Sequence, residues 1–580
     1  MRYLFLAITL MGTALFFRFL YKKALTREIQ FSILWLVIIV FFAGILIFTS
    51  LFPVEGIIGW DDAEHSLRGL TIAKDIIHGD WSKLWDDTHA QTLWGPGYAW
   101  LFAWMYIMLG KTSMSGSFLS LIFFLMSAFV LYQIGLKMNR QRGWLIGSIA
   151  ATLMLTTPYA LQLSALAMIE PVLLFLLPFA ILVRMNIDGE NAHLKLIIFS
   201  LIVALIFLTK YNYGFLLFTA TLIADILNLF QTTESRKRSK EILNLIIFGY
   251  APLLIVIVLW FSWEHSKKIE GFLSLMKNVP RVESSLLSEY RLLYYPKLFF
   301  SEYCVYKWFP IIIAPFFIIG LWTGFRRNSA RISIFFLISL IAVTIHPLKD
   351  TRYFIPLLPF LWLLMSSGIV TAVEWISQKF QDNIVKVLYA IIIIFFLIIT
   401  PYYQYNNLIP KTPYLYSETL SRNPFVAKSI KEILTKINQE VEERHDLLVI
   451  GAFAELSPAL IKLHLHTDKT TEIKNHDLLI DSLEKESKDY EKSLSSWITS
   501  HLDYSIIAIR ISDNSPFYSQ DYEGFNIWKR KYIDTLNTVC RKHRLILYYE
   551  KEFSEVGITV KIYRQKIMQY TVWRFLNIFV

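Results

Sequence analysis

Apolar positions in this chain gather in long runs separated by short polar stretches. The runs predict membrane-crossing helices, each needing about 20 mostly apolar residues. Strong candidates lie at 31–53, 117–136, 143–160, 171–185, 194–209, 213–230, 242–262, 305–324, 331–346, 354–374 and 386–403. Two further runs, 3–20 and 95–110, are ambiguous. The first resembles a signal segment but has no small-residue cleavage site, so it is expected to be a retained helix. The second opens on Trp94-Gly95-Pro96-Gly97, which suits a bend near the interface better than the middle of a span.

The pattern changes near 404. From there to 566 charge density rises and the apolar runs become short. Strands are expected over Asp446–Ala452, Tyr504–Ile511, Leu545–Glu550 and Ile558–Tyr563, with helical patterns at 454–464, 477–501 and 524–541. This alternation predicts a small α/β domain. Gly451 after the first strand is no dinucleotide fingerprint, because the G-x-G-x-x-G spacing is absent. The expected division is an N-terminal apolar segment with a basic turn (1–30), a transmembrane domain (31–404, first large loop 54–94), a soluble domain (405–566) and an apolar tail (567–580).

Composition narrows the class. Of 580 residues, 55% are apolar and 18% charged, where a soluble domain carries about 25% charged. That excludes a disordered chain, a fibre and an ordinary cytosolic enzyme. Two cysteines, Cys304 and Cys540, exclude a disulfide scaffold and a Cys-rich metal site. The formal net charge of +11 sits largely in short loops between apolar runs, which is a membrane topology signal and not a nucleic-acid surface.

Those loops orient the chain. Lys22, Lys23 and Arg27 form one basic cluster; Lys137, Arg140 and Arg142 another. Arg236, Lys237, Arg238 and Lys240 form a third, and Arg326, Arg327 and Arg331 a fourth. If 95–110 does not cross, all four fall on one side, which the positive-inside rule makes cytoplasmic. The other side then receives 54–94, the loop at 161–170, the loop 263–304 and everything after 404. The fold expected is therefore a polytopic α-helical membrane protein of about 11–12 spans with a C-terminal extracytoplasmic α/β domain.

Candidate chemistry gathers on that outer side. The densest polar cluster is Gly59-Trp60-Asp61-Asp62-Ala63-Glu64-His65-Ser66. Adjacent carboxylates repel, so one can hold its proton and serve as a base; equally, aspartates favour the positive end of a helix dipole. Glu170, in Met168-Ile169-Glu170-Pro171, is an ionisable residue beside a span, or a helix start with proline in its first turn. Lys210, in Leu208-Thr209-Lys210-Tyr211-Asn212, can hold a phosphate or snorkel to the interface. The segment His346 to Pro359 brings Lys349, Arg352 and Tyr353. Arg352 can grip a phosphate with two parallel hydrogen bonds, or pair with Asp350. Cations kept on the unfavoured side point to an anionic ligand. Arg281, Arg291 and Lys297 in the loop 263–304 read as a candidate substrate lid. No H-x-x-x-H pair, P-loop, G-x-S-x-G or kinase set is present.

Trp60-Asp61-Asp62-Ala63-Glu64-His65 resembles the first-loop acidic motif of the GT-C membrane glycosyltransferases. The nearest branch is that of the protein O-mannosyltransferases and lipid A aminoarabinose transferases. Gly95-Pro96-Gly97 before an aromatic helix, Glu170 about 100 positions after the first acid, Leu208-Thr209-Lys210 and Arg352-Tyr353-Phe354-Ile355-Pro356 keep the family's order. The resemblance covers roughly residues 30–400. It implies transfer of a sugar from a polyprenyl-phosphate donor to a hydroxyl on a lipid, glycan or protein, with inversion at the anomeric carbon. Asp61 would be the general base, and Asp62 and Glu170 would orient the acceptor or, in some members, hold a divalent cation such as Mg or Mn. Lys210 and Arg352 would stabilise the phosphate leaving group, with Tyr353 adding a hydrogen bond and His65 and Lys349 completing the substrate-binding set. The chain departs from the family in having Asp-Asp where Asp-Glu is common, leaving the base open between Asp61 and Asp62, and Glu170 where relatives often carry Asp.

Two other classes stay open at this point: a lipid or glycan transporter, and a non-catalytic subunit of an envelope assembly. A transporter usually shows inverted repeats and charges near the midplane, whereas here the charges collect at one face. The expected location is the bacterial inner membrane, among membrane lipids, with the site and the C-terminal domain outside the cytoplasm.

Overall fold

The computed structural model describes residues 27–52, 60–90, 95–110, 114–187, 191–231, 235–262, 289–304, 308–326, 329–346, 350–378 and 382–403, and in the C-terminal part 428–435, 437 and five strands. Packing divides the chain into two units, one of residues 1–52 and 68–412, the other of 53–67 and 413–580. The runs 3–20 and 567–580 lie outside the described residues, as does Lys349.

The protein is an integral membrane protein, and each of the eleven predicted spans is mainly helical over its described residues. In chain order the helices are α1 Arg27–Leu46, α2 Trp60–His78, α3 Trp81–His89, α4 Gly97–Leu109, α5 Ser115–Met138, α6 Gly143–Thr156, α7 Pro158–Leu163, α8 Glu170–Met185 and α9 Ala192–Thr209. They continue with α10 Tyr211–Gln231, α11 Ser235–Asn244, α12 Ala251–Ser262, α13 Glu289–Leu298, α14 Phe309–Arg326, α15 Ala330–Ile345, α16 Leu358–Ser377 and α17 Asp382–Ile393. Among the described residues seven helical runs are long and apolar enough to cross a membrane; α4, α6, α14 and α15 are shorter apolar helices. The run predicted at 143–160 breaks at Thr157, where Pro158 opens α7 because a proline inside a helix lacks the amide the ladder needs.

α16 forms the centre of the bundle, buried from Leu358 to Thr371 and packed on α6 and α14. Its contact with α14 is backbone on backbone. A Cβ at Gly320 would strike the Leu364 carbonyl, and one at Gly368 the Phe316 carbonyl. Gly135 of α5 and Gly147 of α6 meet the same way. Lipid tails are as apolar as leucine, so helices in a bilayer associate through such close approach more than through exclusion of water.

The run 95–110 folds as α4, 13 residues long, roughly 20 Å at 1.5 Å per residue and short of a bilayer's hydrocarbon core. Trp100 and Trp104 on α4 and Trp81 and Trp85 on α3 remain exposed, as tryptophans do at a membrane–water boundary. Trp100 donates to Thr88 Oγ1 at 3.2 Å, and the His89 ring stacks on Trp260 of α12 at 5.2 Å. The second half of the first loop is thus pinned to the helical unit.

In the other unit the strands are β1 Leu447–Ile450, β2 Ile473–Asn475, β3 Ser505–Ile511, β4 Leu545–Phe553 and β5 Ile558–Gln565. They form one mixed sheet in the order β2-β1-β3-β5-β4. β1 runs parallel to β2 and β3, while β5 is antiparallel to β3 and β4. The four predicted strands are all present. β2 is additional: at three residues, with Lys474 and Asn475, it gives no alternating signal. The helices predicted at 454–464, 477–501 and 524–541 lie outside the described residues.

Candidate active site at one end of the helical unit

Glu170 opens α8, followed by Pro171, whose fixed φ and missing amide suit the first turn of a helix. Its side chain is buried, and Oε1 accepts a hydrogen bond from Lys210 Nζ at 2.8 Å. Oε2 is buried with no hydrogen-bond partner among the described residues. Lys210 occupies the single non-helical position between α9 and α10, with φ −154° and ψ 103°. That extended residue aims the ammonium into the bundle, 5.3 Å from the ring centroid of Tyr353 and 5.7 Å from that of Tyr213. Both distances suit a cation over an aromatic face.

The Gly-Pro-Gly turn sets this break. A Cβ on Gly95 would collide with the Leu208 carbonyl, and one on Gly97 would lie 2.8 Å from Thr209 Oγ1. The turn entering α4 therefore packs directly on the two residues that precede Lys210. Two motifs more than 100 positions apart in sequence are one contact in the fold.

Arg352 sits in a 3-10 turn, Thr351–Leu357, that leads into α16. Asp350 caps it: Oδ1 accepts from the Arg352 backbone amide at 2.8 Å, and Oδ2 accepts from Nε at 3.0 Å and Nη2 at 2.8 Å. The pairing with Asp350 left open by the sequence is therefore made, and it orients the guanidinium plane. Its charge also acts on the Glu170 carboxylate. Three tyrosines hold the turn's backbone. Tyr295 of α13 donates to the Asp350 carbonyl at 3.3 Å, Tyr303 to the Thr351 carbonyl at 2.5 Å, and Tyr213 of α10 to the Tyr353 carbonyl. Phe354 packs among Tyr295, Phe299 and Tyr303, with centroids 5.0–5.6 Å apart. Sequence reasoning singled out none of these tyrosines: Tyr295 and Tyr303 lie in the tyrosine-bearing loop 263–304, and Tyr213 gave no signal.

Glu170, Lys210, Arg352 and Tyr353 thus come together within the helical unit. Asp61, Asp62 and His65 share the opening turns of α2, in the segment that belongs to the other unit. There Asp61 is exposed while Asp62 and His65 are buried. Among the described residues no three His, Cys, Asp or Glu side chains converge as a metal site.

Further along the first loop, Asp75 and Asp87 lie close together beside Lys83, whose Nζ is 3.5 Å from Asp75. Burial, and then the neighbouring Asp87 carboxyl, push the Asp75 pKa up to about 6.

No model of a known protein family matches the sequence, and no curated protein does. The fold has solved counterparts. It is similar to ArnT, the lipid A aminoarabinose transferase of Cupriavidus metallidurans, in the apo state: TM-score 0.54, 13% identity, with 91% of this chain and 97% of that one covered. The likeness to the same protein bound to undecaprenyl phosphate has a TM-score of 0.55 at 12% identity, covering 91% and 98%. The chain has the fold of a GT-C membrane glycosyltransferase, as the ordered motifs predict.

Proposed function

We propose that the protein is an inverting membrane glycosyltransferase. It moves a sugar from a polyprenyl-phosphate donor to a hydroxyl acceptor on the outer face of a bacterial inner membrane. The observation that carries this reading is the pairing of Glu170 with Lys210 beside Arg352, on a fold shared with an enzyme solved with undecaprenyl phosphate.

The donor is insoluble in water, so its enzyme must meet it in the bilayer. As the bond from the anomeric carbon to phosphate breaks, charge builds on the phosphate oxygens. Lys210 and Arg352 stabilise that charge, and because both are already oriented they do so with little reorganisation. Arg352 is aligned by Asp350, and Lys210 is held off solvent by Tyr213 and Tyr353. A carboxylate within hydrogen-bond reach takes the proton of the attacking hydroxyl. Asp61, exposed on the first turn of α2, is the candidate base, with Asp62 beside it buried. Attack opposite the phosphate inverts the anomeric centre. Glu170 positions Lys210 and keeps a second oxygen for the acceptor.

The test compares envelope glycans by mass spectrometry in cells with the intact protein, with Asp61→Asn, or with neither. A sugar-sized mass present only with the intact protein supports transfer and identifies sugar and acceptor. The same product from Asp61→Asn removes Asp61 as base and shifts the role to Asp62. Identical glycans in all three, with donor lipid present, overturn the reading in favour of transport or assembly.

A further inference from the structure

Lys210 closes two helices at once. Its amide donates to the Ile206 carbonyl at 2.8 Å, and its carbonyl accepts from the Tyr213 and Gly214 amides at 3.2 and 3.3 Å. Between α9 and α10 there is only this one extended residue. A one-residue joint has two soft dihedrals, and a small turn about either swings the long lysine side chain away from Glu170. The ammonium keeps its place only if the chain is held on both sides of the joint.

The upstream side is held by the Gly-Pro-Gly turn, which packs on Leu208 and Thr209. The downstream side is held by Trp260 of α12. Its Nε1 donates to Tyr211 Oη at 2.9 Å, as a buried indole N–H usually finds an acceptor. The same indole shares a buried cluster with Phe207 and Leu208, and the Tyr211 and Phe207 ring centroids are 5.1 Å apart. Trp260 thus meets residues on both sides of Lys210.

Trp260 is itself fixed from the first loop. The buried His89 ring stacks on it with centroids 5.2 Å apart. That ring is set by its own helix: Nδ1 donates to the Trp85 carbonyl at 2.8 Å, and the Trp85 ring centroid lies 4.2 Å away. Thr88, next to His89, accepts from Trp100 of α4, and α4 starts at Gly97 of the Gly-Pro-Gly turn. The supports on the two sides of Lys210 are therefore joined to each other through α3 and α4.

We propose that α3 and α4 form a clamp that sets the pose of Lys210, with His89, Trp260 and Tyr211 as its positioning residues. Holding Lys210 still does not depend on what the site does. The gain in rate rests on the sugar-transfer reading, in which a cation already aimed at the leaving phosphate needs little reorganisation.

The reactivity of the Lys210 amine tests the clamp. Full-length protein in detergent micelles is acetylated with an N-hydroxysuccinimide ester, and its lysines are followed by peptide mass spectrometry. Paired with Glu170 and 5% exposed, Lys210 should react slowly in the parent. Trp260→Phe keeps a ring in place and removes the N–H donor. It should speed acetylation of Lys210 about fivefold, the worth of one hydrogen bond, and leave the other lysines unchanged. His89→Ala should act in the same direction, and His89→Phe, which restores a ring against Trp260, should return Lys210 to the parent rate. Glycan product per folded molecule is expected to fall by a similar factor in the first two variants and to recover in the third. Unchanged Lys210 acetylation in Trp260→Phe and His89→Ala overturns the clamp. So does faster acetylation of all lysines with a lower melt, which marks a packing role alone. Should Trp260→Phe fail to fold, Tyr211→Phe removes the same hydrogen bond from its other end and decides in its place. A parent that makes no glycan product defeats the sugar-transfer reading, and the acetylation rates still decide the clamp.

Discussion

The two ends of α8 and α10 hold buried charge in opposite ways. At one end a single carboxylate meets a single ammonium, and the ammonium sits in a break between helices. At the other, one carboxylate meets two guanidiniums, all three projecting from unbroken helices. A lysine at a helix break can be displaced by a small backbone change, and its partner Glu170 keeps one oxygen unspent. Asp225 has every oxygen engaged and ties α8, α10, α15 and the turn before α12 together. The first end is built to exchange partners, the second to hold helices in register.

The sharpest break in this contrast comes from Lys210→Met. On the proposed mechanism it removes a cation from the developing phosphate charge, and it strands Glu170 in the interior. Transfer is expected to fall about a hundredfold or more, measured as glycan product per folded molecule. Stability should fall by roughly 3–5 kcal/mol. Asp225→Asn should cost a similar few kcal/mol, because two guanidiniums then face each other unneutralised. Thermal melting would report the loss, while transfer by the molecules that remain folded stays near the starting level. A normal melt with lost transfer would show that the two ends are not separable in this way. Gly95→Ala probes the break itself. The added methyl must move the Leu208 backbone, at a cost of about 1–3 kcal/mol, and transfer should drop by more than the melting shift explains.

The smallest effect is a pH dependence outside the spans. The Asp75 pKa is raised in the folded protein from 3.8 to about 6, so its contribution to stability is full below pH 4 and lost as pH rises through 6. Asp75→Asn has no such titration. The variant should match the parent in acid and melt higher above pH 6, by roughly 1 kcal/mol once the rise from 3.8 to about 6 is discounted for solvent screening. A difference that stays constant with pH would reject the raised pKa.

The spans were legible because 20 apolar residues in a row have few other uses, and the break at Lys210 because a lysine interrupts two such runs. Glu170 and Lys210 each read as one residue with two meanings, since an ion pair 40 positions apart leaves no mark in either local pattern. Arg331 read as one more basic loop residue. The missing clue was Asp225, an acid inside the run 213–230, which asks for a partner wherever it sits in a bilayer. The tyrosine contacts were hidden for a different reason: the groups they hold are backbone carbonyls, which every sequence supplies.

Those carbonyls belong to Asp350, Thr351 and Tyr353, nearly consecutive, and the hydroxyls come from α10, α13 and the turn after α13. A body fixed at three separate points cannot tilt without stretching one of its supports. The turn that presents Arg352 is mounted in that manner, so the aim of the guanidinium is set by the relative placing of those supports and not by α16, into which the chain runs next. A movement of α10 would therefore re-aim Arg352 and shift Lys210 at its own head in a single stroke.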